Sequence, residues 1–167
     1  DLGAMARHPV AVVSAGAKAF LDLAKTLEVL ETLSVPVVGY QTDEFPAFWS
    51  RSSGLKIGHR VETPEAIAAT MNAARDAGWQ GGLLIANPIP LADEIPSAEI
   101  AAAIEEGLAT AAAAGATGPA ATPRILAAIA AATASRSIPA NLALAASNAS
   151  LAAKVAVALS RMGGVRN

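Results

Sequence analysis

The stretch Val10-Ala-Val-Val-Ser-Ala-Gly-Ala-Lys18 decides how the rest of the chain is interpreted. Its first four residues are apolar and mostly β-branched, which is typical of a buried strand. Small residues and a lysine follow, and the sequence from Phe20 onward has the apolar spacing of a helix. Because ligands of open α/β sheets bind at the carboxyl ends of the strands, Lys18 is the first candidate site residue.

The remaining sequence repeats this alternation. A helical turn is predicted over 2–7, further strands over 36–40, 57–61 and 82–86, and helices over 20–33, 63–77, 97–114, 122–133 and 141–159. This order predicts a layered α/β/α domain with a mostly parallel or mixed sheet. The helical C-terminal half is expected to cover one face or to form a partner interface.

Composition excludes several classes of protein. The formal net charge is −2 with no basic block, which argues against a nucleic-acid polymer as partner. There is no cysteine, and hence no disulfide or thiolate metal site. No uninterrupted apolar run reaches the ~18–20 residues of a membrane span, and nothing resembles an export signal. We therefore expect a cytoplasmic protein without a membrane partner. His8 and His59 lack a second ligand at metal-binding spacing.

Two interpretations of Lys18 are open. In the first turn of a helix, the partial positive charge of the helix end would make it easier for the ammonium group to lose its proton. An unprotonated lysine attacks carbonyl carbons and forms Schiff bases, and the small residues before it leave room for a ligand. The alternative is a solvated surface lysine with no special role.

Two other features are candidates for ligand binding. The segment Thr42-Asp-Glu-Phe-Pro-Ala-Phe-Trp-Ser-Arg-Ser-Ser-Gly54 has two compatible interpretations: it binds a polar ligand, or its aromatic residues anchor a lid or a subunit contact. Asn87-Pro-Ile-Pro90 follows a predicted strand and is either a site or a rigid turn. Asn141 and Asn148 share one helical face, and we favour hydrogen bonds to buried backbone groups over ligand contacts.

Taken together, these motifs resemble the C-terminal half of the pseudouridine-5′-phosphate glycosidase family, which includes the indigoidine synthase A-like proteins. The resemblance covers nearly the whole chain. Its strongest pieces are Thr42–Gly54 and 83–90, joined by Pro9–Lys18, Thr26–Thr32, Val35–Tyr40, Thr122-Pro123 and Ala140–Leu144. Residues 1–167 are accordingly interpreted as the C-terminal portion of a single glycosidase domain whose N-terminal part is absent from this sequence.

The resemblance implies a layered α/β/α fold, a homotrimer and reversible cleavage of a C–C glycosidic bond. Pseudouridine 5′-phosphate would be converted to uracil and ribose 5-phosphate, with Lys18 as the nucleophile that forms a Schiff base at C1 of the opened ribose. Asp1 and Asn141 match substrate-binding positions of the family.

The resemblance also implies a divalent metal, typically manganese, held by a carboxylate upstream of Asp1. The acid/base glutamate and the phosphate-binding lysine of the family lie upstream as well, so this chain alone is expected to be incomplete as a catalyst. Two other functions stay open. One is a non-catalytic assembly or binding module, and the other is a different lyase that forms a Schiff base with sugar phosphates.

Overall fold

The computed structural model describes residues 1–18, 20–116 and 120–163. These residues form six α-helices, four strands and a short 3-10 turn at Leu91–Asp93. In chain order the elements are α1 (Leu2–Met5), β1 (Ala11–Ser14), α2 (Leu23–Thr32), β2 (Val37–Tyr40), β3 (His59–Val61), α3 (Pro64–Asp76), β4 (Leu83–Ala86), α4 (Ser97–Ala113), α5 (Thr122–Ala132) and α6 (Ser137–Gly163).

The four strands form one sheet in the order β1-β4-β2-β3, and every pairing is parallel. Val13 lies opposite Ile85 on one side of β4, and Val38 lies opposite it on the other. All four residues of β4 are buried, as expected of a central strand covered on both faces. The predicted parallel sheet is therefore confirmed, and the carboxyl ends of its strands meet at one edge.

Helices cover both faces of this sheet because successive side chains of each strand point to opposite sides. Leu84 and Ala86 pack with Leu30 of α2 and with Met5 of α1. On the other face, Ile85 packs with Ile67 of α3 and with Leu151 and Val155 of α6. The predicted α/β/α layering is confirmed.

A third apolar cluster lies beyond the carboxyl ends of the strands. Here α4 and α5 pack as a helical hairpin through Ile100, Ile125 and Ile129. The same cluster includes Trp49 of the 42–54 segment and Leu144 from the first half of α6. The helical C-terminal half therefore serves two purposes: one end of α6 covers the sheet, and the hairpin covers the edge where strand-end loops gather.

The predicted bounds of two helices, α2 and α6, are wrong. Helix α2 begins at Leu23, not at Phe20, because the side chain of Asp22 accepts a hydrogen bond from Lys25 N at 2.9 Å and caps the helix there. Helix α6 spans Ser137–Gly163, whereas helix was predicted only over 141–159. Residues 160–163, which follow the predicted helix, are therefore helical as well, and Gly164–Asn167 lie outside the described residues.

Helix α6 is long and apolar enough to span a bilayer by length and composition. It carries the charged residues Lys154 and Arg161, and it packs against the sheet through Leu151 and Val155 while much of its remaining surface is exposed. One helix of this kind is weak evidence, so this property alone assigns no membrane.

Candidate functional site

Lys18 lies in the connection that leaves β1 at the carboxyl edge of the sheet. Its side chain is exposed, and its Nζ atom lies 5.9 Å from the centroid of the Phe20 ring, within the range of a weak cation–π contact. Just before it, Gly16 adopts φ +81° and Ser14 Oγ donates to its carbonyl at 3.2 Å. This turn presents the lysine to solvent at the place where ligands of parallel sheets bind.

The predicted placement of Lys18 in the first turn of a helix is wrong. Asp22 is the N-cap of α2, and Leu23 is the first helical residue, five positions after the lysine. The field of a helix terminus falls off within about one turn, so α2 does not act on the amine in the way that the sequence suggested. A reactive role for Lys18 must rest on its position at the strand end.

The segment 42–54, which we call the aromatic segment, is bound closely to the turn that carries Lys18. Phe48 N donates to Ala15 O at 3.0 Å, and Ala47 forms an isolated antiparallel bridge with Gly16. Phe48 itself adopts φ +62°, a conformation that costs a bulky residue free energy and persists only where its surroundings enforce it. The two stretches therefore form one structural unit.

The aromatic rings of this segment are core residues. Phe45 and Trp49 are fully buried, and the rings of Phe48 and Trp49 meet edge to face with centroids 4.9 Å apart. Trp49 packs with Ala15 and Leu144. Of the two interpretations offered by the sequence, these contacts support anchoring by the aromatic residues.

The two carboxylates of the segment, Asp43 and Glu44, each form an ion pair with a basic residue that follows it in the sequence. Hydrogen bonds from Ser52, Lys56 and the backbone N–H of Gly54 hold the pKa of the Glu44 carboxyl below its ordinary value. Asp43 accepts a hydrogen bond from Arg60 at 2.7 Å. These groups line an open cavity of about 300 Å³. A polar ligand there remains a hypothesis, because the charges already have partners.

Arg51 fixes the far end of the segment through two hydrogen bonds. Its Nη1 donates to Ile89 O, and its backbone N donates to the Glu94 carboxylate at 2.8 Å. Ser50, which is buried, donates through Oγ to Ile95 O at 2.7 Å. The aromatic segment is thereby joined to the loop that follows β4.

Asn141 receives a hydrogen bond from a buried side chain. The indole Nε1 of Trp49 donates to Asn141 Oδ1 at 2.8 Å. Two turns further along α6, Asn87 Nδ2 donates to Asn148 Oδ1 at 2.9 Å and to Ser147 Oγ at 3.1 Å. Both predicted amides thus have side-chain partners, where we had favoured buried backbone groups.

Sequence reasoning did not identify Trp49 and Asn87 as these partners. The available signals were the position of Asn87 directly after a strand and the density of aromatic residues around Trp49. The residues joined by the Trp49–Asn141 bond are 92 positions apart, and no spacing rule connects them. Asn87 is itself placed by its backbone N, which donates to Ser14 O at 2.8 Å.

Asp1 is exposed at the N-cap position of α1, and its side chain does not cap the helix. The other end of α1 adjoins the amino end of β4, where Gly82 N donates to Met5 O at 2.7 Å. Two parts of the predicted site therefore meet at one apolar cluster. Phe20 brings the turn that carries Lys18 to this cluster, and Trp49 brings Asn141 of α6 to it. They connect Asp1 to neither residue.

A divalent metal does not fit the described part of the chain. Among those residues, no three His, Cys, Asp or Glu side chains lie close enough together to hold a metal ion. His8 and His59 are both exposed. We therefore assign no metal ligand among the residues that the structure describes.

Comparisons with known proteins agree with this architecture. The sequence model of a family described as "Indigoidine synthase A like protein" matches residues 1–158. A protein of Methylobacterium nodulans named pseudouridine-5′-phosphate glycosidase is 58% identical over 159 residues, which are 95% of this chain and 47% of that protein. The chain spans about half the length of the curated relatives it matches.

Two solved structures share the fold. The prealnumycin C-glycosynthase AlnA, in complex with ribulose 5-phosphate, aligns with a TM-score of 0.91 and 34% identity over 99% of this chain and 55% of that one. An indigoidine synthase A-like protein from Thermotoga maritima aligns with a TM-score of 0.81 and 34% identity, over 95% of this chain and 52% of that one. The family match covers nearly the full sequence, and on that ground the chain belongs to the indigoidine synthase A-like family.

Proposed function

We propose that this chain carries the nucleophile of a pseudouridine-5′-phosphate glycosidase, which reversibly cleaves pseudouridine 5′-phosphate into uracil and ribose 5-phosphate. The observation that carries the proposal is the exposed Lys18 at the carboxyl end of an edge strand, in a chain 58% identical to a protein of that name. The parallel sheet directs this end of β1 toward the edge where substrates of such folds bind.

The proposed reaction uses the amine of Lys18 because a C-glycoside has no readily protonated leaving oxygen or nitrogen. The amine bonds to C1 of the ribose as the bond from C1 to the ring oxygen breaks, and that oxygen takes a proton. The C–C bond then breaks, its electron pair stays on the uracil carbon and is protonated, and C1 is left as an iminium on the lysine. Water hydrolyses the iminium to ribose 5-phosphate and returns the free amine.

Asp1 and Asn141 are proposed to bind the substrate, as the resemblance implies. The hydrogen bond from Trp49 supports the proposed role of Asn141. This bond holds the Asn141 amide beside the cluster that includes Phe20 and the turn before Lys18. The acid/base and phosphate-binding groups, and the manganese ion that the resemblance implies, are proposed to belong to parts of the enzyme other than the residues described above.

We further propose a homotrimer that acts in the cytoplasm. Helix α6 supports an assembly because it exposes large apolar side chains, with Ile138 55%, Leu142 70% and Val157 50% exposed. Apolar side chains exposed to this degree along one helix are typical of surfaces that a partner covers. Light scattering of the purified protein is expected to give the mass of three chains, and a monomer would contradict the assembly.

The decisive experiment traps the Schiff base in the protein encoded by the complete gene. Ribose 5-phosphate and borohydride are expected to attach a reduced sugar phosphate to Lys18, located by peptide mass spectrometry. Lys18→Arg keeps the charge and is expected to lose the adduct and at least ~10³-fold in activity, because arginine is not deprotonated in proteins. Lys25→Arg, at an exposed position on α2, is the matched control and should behave as the unsubstituted protein. A folded, active protein without an adduct at Lys18 would refute the proposal.

One observation favours a second reaction of the same class. One of the two similar solved structures is a C-glycosynthase in complex with ribulose 5-phosphate, which favours formation of a C–C glycosidic bond as the second candidate reaction of this chain. A panel of aromatic acceptors offered with ribose 5-phosphate separates the two reactions, since the glycosidase is expected to use uracil best. The absence of turnover and of any lysine adduct would instead favour the non-catalytic module.

A further inference from the structure

Trp49 and Asn141 form a hydrogen-bonded pair whose chemistry allows only one arrangement. The indole N–H is a donor and never an acceptor, so the Asn141 atom 2.8 Å away must be its amide oxygen. The amide nitrogen of Asn141 then points away from the indole with two N–H donors. Among the described residues it has no hydrogen-bond partner, and Asn141 is partly exposed.

We propose that Trp49 is a positioning residue that fixes the amide orientation of Asn141, so that the site offers two donors to a substrate acceptor. The group recognised would be a carbonyl oxygen of the pyrimidine or an oxygen of the sugar phosphate. This inference rests on the proposed function, since it takes Asn141 to be a substrate-binding residue. It also states the polarity of that contact, which the comparisons do not provide.

The surroundings of Trp49 prevent its ring from turning away. The side chain is completely buried among Ala15, Ile89 and Leu144 and meets the Phe48 ring edge to face. Its carbonyl accepts a hydrogen bond from Ile95 N at 2.9 Å. A side chain held on every side has a single rotamer, and a fixed donor selects one of the two amide orientations of its partner.

A second contact of α6 separates the effect of Trp49 on the Asn141 amide from any effect on the position of the helix. Asn87 bonds to Asn148 and Ser147, so α6 is held to the sheet two turns beyond Asn141. Loss of the indole N–H therefore frees the amide to rotate and leaves the helix in place. The consequence expected is weaker substrate binding with the catalytic step little changed.

The test is a double-mutant cycle on the protein encoded by the complete gene, with pseudouridine 5′-phosphate as substrate. Trp49→Phe retains an aromatic ring and removes the N–H. It is expected to raise KM by about two- to tenfold, the factor that one neutral hydrogen bond supplies, with kcat within about twofold. Against an Asn141→Ala background the same substitution should change KM by less than about twofold, because the residue through which Trp49 acts is gone.

Two further variants keep the result interpretable. Trp79→Phe is the matched control. Trp79 is partly buried, and its indole N–H also donates to an oxygen, that of Gly82, but it lies at the amino ends of the strands, so the variant should change KM less than about twofold. Asn141→Asp keeps the acceptor for Trp49 and replaces the amide donor with an oxygen. It should raise KM by more than about tenfold, because a charged acceptor then faces the substrate acceptor.

The outcomes distinguish failure of the positioning role of Trp49 from failure of the proposed function. An equal effect of Trp49→Phe in both backgrounds, or an unchanged KM in Asn141→Ala, would overturn the positioning role and leave the proposed function intact. Failure of the unsubstituted protein to cleave pseudouridine 5′-phosphate would be seen first, and it would overturn both.

Discussion

Gly16 and Gly107 are two of the glycines at which another stretch of backbone approaches closely, and they lie in different kinds of structure. A Cβ atom added to Gly16 would lie 1.9 Å from Pro46 O, in the contact between the turn carrying Lys18 and the aromatic segment. A Cβ atom added to Gly107, in the middle of α4, would lie 3.0 Å from Ile125 Cα of α5. The first contact joins two irregular stretches, and the second joins two regular helices.

The contact at Gly16, between two irregular stretches, has less freedom to shift than the helix contact at Gly107. Around Gly16, backbone hydrogen bonds fix both sides, and the glycine itself requires φ +81°. Around Gly107, apolar side chains of α4 and α5 make the contact, and helices packed in this way can shift by tenths of an ångström. The geometry beside Lys18 therefore depends on the segment that has no regular secondary structure.

The largest effect is expected for Gly16→Ala. The variant combines a left-handed backbone conformation with a clash against a carbonyl that cannot withdraw, and we expect it to lose about 2–4 kcal/mol of unfolding free energy. Urea denaturation of the complete protein measures the loss. Gly78→Ala is the control, because Gly78 has φ +82° but nothing within 4 Å of an added Cβ, and it should lose about 1 kcal/mol. Equal losses in the two variants would show that Pro46 can move away from the methyl group added at Gly16.

Much of the sheet could be predicted from sequence because its elements carry local signals. Three of the four strands, β1, β2 and β4, are short and mostly apolar runs bounded by proline, glycine or polar residues, whereas the edge strand β3 is His59-Arg60-Val61. Thr63-Pro64 marks the start of α3 with a cap and a preset φ. Where a local signal was overlooked, the prediction failed. Asp22 is a stronger helix start than the apolar spacing that begins at Phe20, because its carboxylate satisfies a free backbone N–H.

The candidate site was predictable only in part. Lys18 was found because it ends a strand and its turn, which are local features of the sequence. The partnership of Trp49 with Asn141 and that of Asn87 with Asn148 depend on how α6 crosses the sheet. Such contacts are set by tertiary packing, and a single sequence contains no signal at those separations. The roles of Lys18, Asp1 and Asn141 in binding and catalysis remain predictions.

An intermediate effect is expected for Gly107→Ala in the helical hairpin. Alanine is favoured over glycine by about 1 kcal/mol inside a helix, but the added methyl group must displace α5, which costs about 1–3 kcal/mol. We expect a net loss of about 1 kcal/mol, smaller than that of Gly16→Ala. Ala109→Gly, on the exposed side of α4, is measured by the same urea denaturation and gives the difference in helix propensity between alanine and glycine alone. A stabilised Gly107→Ala would mean that the two helices move apart freely, and the contrast with Gly16 would become larger.

The smallest effect concerns the charged side of the aromatic segment and its dependence on pH. The pKa of Glu44 is lowered by hydrogen bonds from Ser52, Lys56 and Gly54 N, so this carboxylate stabilises the fold above its ordinary pKa of 4.5. That stabilisation is lost as the pH falls through the lowered value. Glu44→Gln should therefore melt slightly below the unsubstituted protein at neutral pH, with the two Tm values converging as the pH falls below the lowered pKa of Glu44. Glu106→Gln, on the exposed side of α4, should show no such convergence. A Tm difference for Glu44→Gln that persists unchanged at low pH would mean that the segment is held by its buried rings alone, and that its charged contacts contribute nothing to the unit beside Lys18.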